Sequence, residues 1–255
     1  MTLAETQITV GSGDAARQIA LLARPGRGPG LLFLGGFMSD MRGSKAEALD
    51  AFAAREGRAM TRFDYSGHGA SGGAFADGTI SRWLEEAASV LDRAEGKPLV
   101  LVGSSMGGWI ALLLALAEAK AGRRRIAGLV LLAPAVDMTH SLILPHMSEA
   151  ARATLEATGA WPLPSAYSDK PYAITKALIE DGAQHLLQGK PIAIGAPVHI
   201  IQGVLDEEVP YEHALDLVSH LAEDDVVLTL IKDAGHRLSR PEDIAKIIAA
   251  VTAMD

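Results

Sequence analysis

Cysteine is absent from all 255 residues, which excludes a disulfide framework, a thiolate metal site and a cysteine nucleophile. Basic charge is in short supply: 23 Lys and Arg stand against 31 Asp and Glu, for a formal net charge of −8. That sign is wrong for a surface whose main partner is nucleic acid or an anionic membrane. The basic cluster Arg123-Arg124-Arg125 follows a predicted helix and reads as a solvated C-terminal turn favourable to the helix dipole. Long apolar runs are missing as well. The longest, Met106 to Ala117, stops at Glu118, short of the roughly 20 residues that span a bilayer, so it predicts a buried helix and no integral membrane segment. Met1 to Val10 carries Glu5 and has neither a basic and apolar signal pattern nor the arginine-rich pattern of a transit peptide. The expected location is cytoplasmic. His140, His146, His185, His199, His213 and His220 lack metal-ligand spacing with carboxylates, so neither a metal nor a cofactor is expected.

What is present is a chain with 49% hydrophobic residues, long enough for one large core, and a single domain over 1–255 is expected. Gln7 to Val10 and Gln18 to Arg24 read as an antiparallel edge hairpin around Gly11-Ser12-Gly13-Asp14. Arg24 to Gly30 reads as a Pro/Gly loop. Apolar strands are then predicted at Leu31–Leu34, Ala59–Asp64, Leu99–Val102, Leu129–Ala133, Val198–Gln202 and Val226–Ile231. Helices alternate with them: Ser44–Glu56 with Ser44 as a capping serine and Glu47 three residues on, Thr79–Ala94, a helix from Trp109, and Pro241–Ala253. This alternation predicts an α/β fold with a mostly parallel sheet and helices on both faces, in which ligands gather at the C-terminal ends of the strands.

Between residues 136 and 190 the alternation lapses, with helical pieces expected at Ser148–Thr158 and Tyr172–Leu187. An insertion of this size reads as a small lid that carries specificity. Trp161 and Tyr167 within it, and Met38 near the predicted oxyanion loop, are the expected substrate contacts.

One corner organises these elements. Gly103-Ser104-Ser105-Met106-Gly107 turns a buried strand directly into a helix and fits a nucleophile elbow, with Ser105 at the strained turn. Unpaired N–H groups at the helix start favour a developing oxyanion there. By position, the two donors are Met106 N–H and Phe37 N–H, the latter from Gly35-Gly36-Phe37-Met38 at the end of a strand. Asp206 and His236 follow later strands, giving the order Ser105, Asp206, His236. Ser105 attacks a carbonyl, His236 takes and returns its proton, and Asp206 fixes the imidazole tautomer. Asp206 is preferred over Glu207, Glu208 and Asp233 because it comes first after the strand and Gly203. His68, in the loop Tyr65–Gly73, reads either as a substrate contact or as a loop histidine with a backbone partner.

Three stretches resemble a known family: Phe63-Asp64-Tyr65-Ser66-Gly67-x-Gly69-x-Ser71, Gly103-Ser104-Ser105-Met106-Gly107-Gly108-Trp109, and Trp161-Pro162-Leu163-Pro164-Ser165-x-Tyr167-Ser168. They are similar to the mitochondrial α/β-hydrolase-domain acyl-protein thioesterases, and the similarity runs from about Leu31 to Ile248. The resemblance implies an α/β-hydrolase fold with a triad on Ser105, Asp206 and His236. It also implies hydrolysis of protein-linked or small-molecule acyl thioesters and esters, including acyl glucuronides. A receptor that keeps the pocket but turns over little, and an acyltransferase that admits an alcohol in place of water, would use the same residues. Labelling of Ser105 by a fluorophosphonate separates enzyme from receptor.

Overall fold

Branched aliphatic runs become adjacent strands in the computed structural model, which describes residues 3–93, 98–163, 171–221 and 225–254. In chain order the elements begin with β1 (Glu5–Val10), β2 (Arg17–Arg24), β3 (Arg27–Leu34), α1 (Ser44–Glu56), β4 (Arg58–Phe63) and α2 (Ile80–Leu91). The middle holds β5 (Leu99–Ser104), α3 (Met106–Lys120), β6 (Ile126–Leu132), α4 (Glu149–Thr158), β7 (Ala160–Leu163), β8 (Tyr172–Thr175) and α5 (Lys176–Gly182). The chain closes with β9 (Val198–Gly203), α6 (Tyr211–His220), β10 (Val226–Ile231) and α7 (Pro241–Thr252). Among the described residues, one sheet has the order β1-β2-β4-β3-β5-β6-β9-β10. β2 runs antiparallel to β1 and β4, and the remaining pairs are parallel. This is the mostly parallel α/β architecture that the strand and helix alternation predicts.

The two faces of β5 show why its run is uninterrupted. Leu99 and Leu101 join α2, α3 and α6 in one apolar cluster, while Val100 and Val102 join α1 and α7 in another. A strand covered on both faces has no side on which a polar residue is solvated. Three expectations are corrected. Arg24 to Gly30 is not wholly a loop, since β3 starts at Arg27 and its register against β4 shifts before Leu31. The glycines there permit close approach: a Cβ on Gly26 would lie 2.3 Å from the Arg58 carbonyl carbon. The N-cap of α1 is Gly43 rather than Ser44, with no side-chain cap bond. Tyr172 to Thr175 is strand rather than helix, because pairing with β7 supplies hydrogen bonds that local propensity does not reveal.

Arg123 and Arg124 of the arginine cluster are exposed, as a solvated turn requires, but the cluster also reaches an acid. Glu118 in α3 is buried, and both Arg123 and Arg125 bond its carboxylate, at 2.7 and 2.6 Å. Arg125 holds the Glu118 carboxyl down to about 2, below its ordinary 4.5. A depressed carboxyl contributes stability above its unfolded value and loses that contribution as pH falls. We therefore expect the unfolding free energy to decline between about pH 4.5 and pH 2, with a shallower decline in Glu118→Gln, as read by denaturant melts across that range.

Between β6 and β9 the chain leaves the sheet and builds α4, the β7–β8 hairpin and α5. Asp137, buried and left-handed at φ 53°, accepts hydrogen bonds from the N–H groups of Leu187 and Gln188. The two ends of the excursion are thereby pinned together.

Candidate active site

The turn between β5 and α3 is tight because Gly103 and Gly107, two residues to either side of Ser105, lack side chains. Ser105 sits at φ 54° and ψ −120°, a sparsely populated conformation for an L-residue. Its N–H donates to the Leu132 carbonyl at 2.9 Å, and its carbonyl accepts from Gly108 N–H at 2.8 Å. A Cβ on Gly107 would lie 2.1 Å from the Leu34 carbonyl oxygen, and one on Gly103 would lie 2.5 Å from that of Gly107. Gly107 lets the start of α3 lie against the end of β3, and Gly103 lets it fold back on the end of β5. Gly107→Ala must displace backbone, so we expect a loss of about 3 kcal/mol and a Tm lowered by on the order of 10 °C, measured by calorimetry.

The loops after β9 and β10 are stitched together. Val204 N–H donates to Ile231 O and Leu205 N–H to Ala234 O, both at 2.9 Å. This brings His236 and Asp206 together: His236 Nδ1 lies 2.8 Å from Asp206 Oδ2, and His236 Nε2 lies 3.0 Å from Ser105 Oγ. Asp206 is buried and its Oδ1 accepts the N–H groups of Glu208 and Val209 at 3.0 and 2.9 Å. The buried Gln202 amide donates to Oδ2 at 3.1 Å. The carboxylate is thus held on three sides, and charge-assisted bonds of this kind fix orientation. The other three acids lie elsewhere. Asp233 pairs with Arg240 at 2.9 Å, Glu207 lines the cleft, and Glu208 Oε2 stands 3.7 Å from His236 Nε2 rather than at Nδ1.

The segment carrying Phe37 is anchored from behind. Buried Asp64 accepts Met41 N–H at 2.6 Å and Ala70 N–H at 2.8 Å, while Arg62 donates to Met41 O at 2.8 Å. Burial pushes the Asp64 carboxyl up, against those two amides. The Phe37 ring packs edge-on against Phe75, Trp83 and Tyr172, with centroids 4.8, 6.0 and 5.9 Å apart. Gly36 brings this segment against the elbow, since its Cβ would lie 3.3 Å from that of Ser105. Met106 is the first residue of α3, so its N–H has no partner within the helix.

A cleft of about 850 Å³ opens over these groups, within the range of small-molecule sites. Its lining has apolar side chains, among them Ala135, Met138, Leu142, Ile143, Ile174 and Val209. It also has polar ones, including Ser39, Asp40, Lys45, Arg237 and Ser239. Lys45 Nζ donates to the Arg237 carbonyl at 2.5 Å, and burial, with Arg237 nearby, lowers the amine to about 8. Nothing in the spacing of α1 signals Lys45 in advance, because only the packing of α1 beside the His236 loop brings it to the wall.

Met38 lies on the cleft wall, half-exposed and at φ 58°. Trp161 packs against the excursion's own apolar cluster of Met147, Leu155 and Ile174, and Leu163 and Tyr172 face the cleft from the hairpin. Tyr167 lies outside the described residues. His68 is buried, with Nδ1 3.1 Å from the Ser66 carbonyl and its ring among Tyr65, Phe75 and Trp83. Burial lowers it to about 4, so it is a neutral packing group behind the wall. Among the described residues, no group of three or more His, Asp or Glu is arranged to hold a metal ion.

Comparisons with known proteins agree with this architecture. The Hydrolase_4 family model, described as serine aminopeptidase, S33, matches residues 32–177. The mitochondrial palmitoyl-protein thioesterase ABHD10 of Rattus norvegicus is 35% identical over 231 residues, covering 89% of this chain and 75% of the rat protein. A putative hydrolase from Agrobacterium vitis S4 is 50% identical, superposes with a TM-score of 0.96 and covers 100% of this chain and 99% of its own. The mouse α/β-hydrolase domain-containing protein 10 is 30% identical with a TM-score of 0.86, covering 98% of each chain.

Proposed function

This chain belongs to the α/β-hydrolase family that contains the mitochondrial palmitoyl-protein thioesterases, and from that premise we propose that it hydrolyses acyl thioesters or carboxylic esters through a Ser105 acyl-enzyme. The observation that carries the proposal is the unbroken relay from Ser105 Oγ through His236 to Asp206 beneath a cleft with apolar side chains in its lining. His236 Nε2 removes the Ser105 proton as Oγ attacks the acyl carbon, and Asp206 steadies the imidazolium. Phe37 N–H and Met106 N–H receive the oxyanion. His236 then protonates the leaving thiol or alcohol, and water releases the acid by the reverse proton path. No metal or cofactor enters these steps.

Residues 136–190 act as the lid, and the apolar side chains of the cleft take the acyl chain. The test is kcat/KM on matched short, medium and palmitoyl-length thioesters and oxygen esters, with Ser105→Ala as the blank. A preference for long thioesters carries the depalmitoylase reading to this chain. Fast cleavage of short esters alone leaves a general carboxylesterase. Filling the cleft from its apolar lining provides a further check. Ile143→Trp should cut kcat/KM for palmitoyl substrates by about 10-fold or more, through lost burial of several methylenes, and leave acetyl esters within about twofold. Equal losses on both would remove Ile143 and its apolar neighbours from the acyl site.

A further inference from the structure

The mechanism proposed above leaves one charged group at its centre unused. Glu208 Oε2 stands 3.7 Å from His236 Nε2, on the side of the ring that faces Ser105 Oγ at 3.0 Å. This is too long for a direct hydrogen bond, and a polar separation of that size suits one bridging water. Hydrogen bonds of about 2.8 Å from a single water reach both atoms, because the gap is less than twice that length. The position is built rather than incidental. Asp206 Oδ1 holds the Glu208 N–H at 3.0 Å, so the carboxylate that orients His236 also sets the backbone carrying Glu208. Val209 beside it is buried, while the Glu208 side chain is 47% exposed and lines the cleft. Water can therefore enter at this point.

We propose that Glu208 positions the hydrolytic water of the deacylation step, and so favours water over an alcohol or thiol as acyl acceptor. The inference rests on the acyl-enzyme reading. In the acyl-enzyme, the water oxygen attacks the acyl carbon and one of its protons passes to His236 Nε2. The second O–H donates to the Glu208 carboxylate and stays on the oxygen. The tetrahedral intermediate then breaks its bond to Ser105 Oγ, which takes the proton back from Nε2, and the carboxylic acid leaves. During acylation the nucleophile is Ser105 Oγ rather than water, so Glu208 acts in the deacylation half of the cycle only. An alcohol has a single O–H, spends it on Nε2, and gains nothing from Glu208.

The test uses p-nitrophenyl butyrate with the full-length protein and Glu208→Gln. In stopped flow, acylation should stay within about twofold while deacylation falls about 10- to 100-fold, the cost of a misplaced reactant, so that a p-nitrophenol burst appears or grows. With methanol present, the ratio of methyl butyrate to butyrate should rise about tenfold or more, an effect that general loosening of the fold does not produce. Glu208→Asp should recover part of the lost deacylation rate. Equal losses in acylation and deacylation, or an unchanged product ratio, would overturn the assignment. A wild-type protein that does not acylate at Ser105 under fluorophosphonate labelling would instead remove the hydrolase mechanism itself.

Discussion

Ser105→Ala should lower kcat/KM on any cleaved ester or thioester by at least about 10⁴, because removing the nucleophile leaves only binding and the oxyanion donors. The fold should be unaffected. The Ser105 side chain makes no capping bond to α3, and its hydroxyl bonds His236 alone among its described partners. The variant should therefore melt within about 2 °C of the wild type. Ser105→Gly should be equally inactive yet more stable, by about 1 kcal/mol, since a residue at φ 54° is strained unless it lacks a Cβ. Calorimetry and a steady-state assay on the three proteins decide the matter. Turnover surviving in Ser105→Ala would exclude it as the nucleophile.

The second large effect belongs to Asp206→Asn, expected to lower kcat by about 10⁴ while leaving KM nearly unchanged. The bonds around the carboxylate decide how the amide sits. Oδ1 accepts two backbone N–H groups, from Glu208 and Val209, so an asparagine keeps its carbonyl there. Its NH₂ is then directed at His236 Nδ1, where the carboxylate oxygen stood at 2.8 Å. A donor at Nδ1 forces the imidazole proton onto Nε2, and the ring can no longer accept the Ser105 proton. The same NH₂ meets the Gln202 amide, which donated to Oδ2, so a modest stability loss of about 1 kcal/mol should accompany the kinetic one. A loss of activity below about tenfold would exclude Asp206 as the group that fixes the His236 tautomer.

Much of the fold is legible in the sequence because local pattern and burial coincide. The runs in β5 and β6 are apolar at successive positions since both faces are covered, and positions 103 and 107, two before and two after Ser105, must be glycines because backbone occupies the space of their side chains. Legibility fails where a partner distant in the chain supplies what the local residues lack. Tyr172–Thr175 is a strand because β7 lies beside it, and Arg123, half-exposed, and Arg125 pair with Glu118, which is buried beneath them. Trp161 was expected at substrate from its place in the excursion, yet its ring goes to the excursion's own core, and the hairpin register presents Leu163 and Tyr172 to the cleft.

The sequence by itself determined the α/β class, the elbow and the order of Ser105, Asp206 and His236, because strand period, turn sterics and side-chain chemistry act over a few neighbouring residues. The tertiary structure alone decided the position of Glu208 at the second ring nitrogen of His236 and of Lys45 beside the Arg237 carbonyl, and the clamp of Asp64 on Met41. Each joins groups on separate strands, helices or loops. Such distances are set by how the elements pack across the sheet, and no local spacing encodes them.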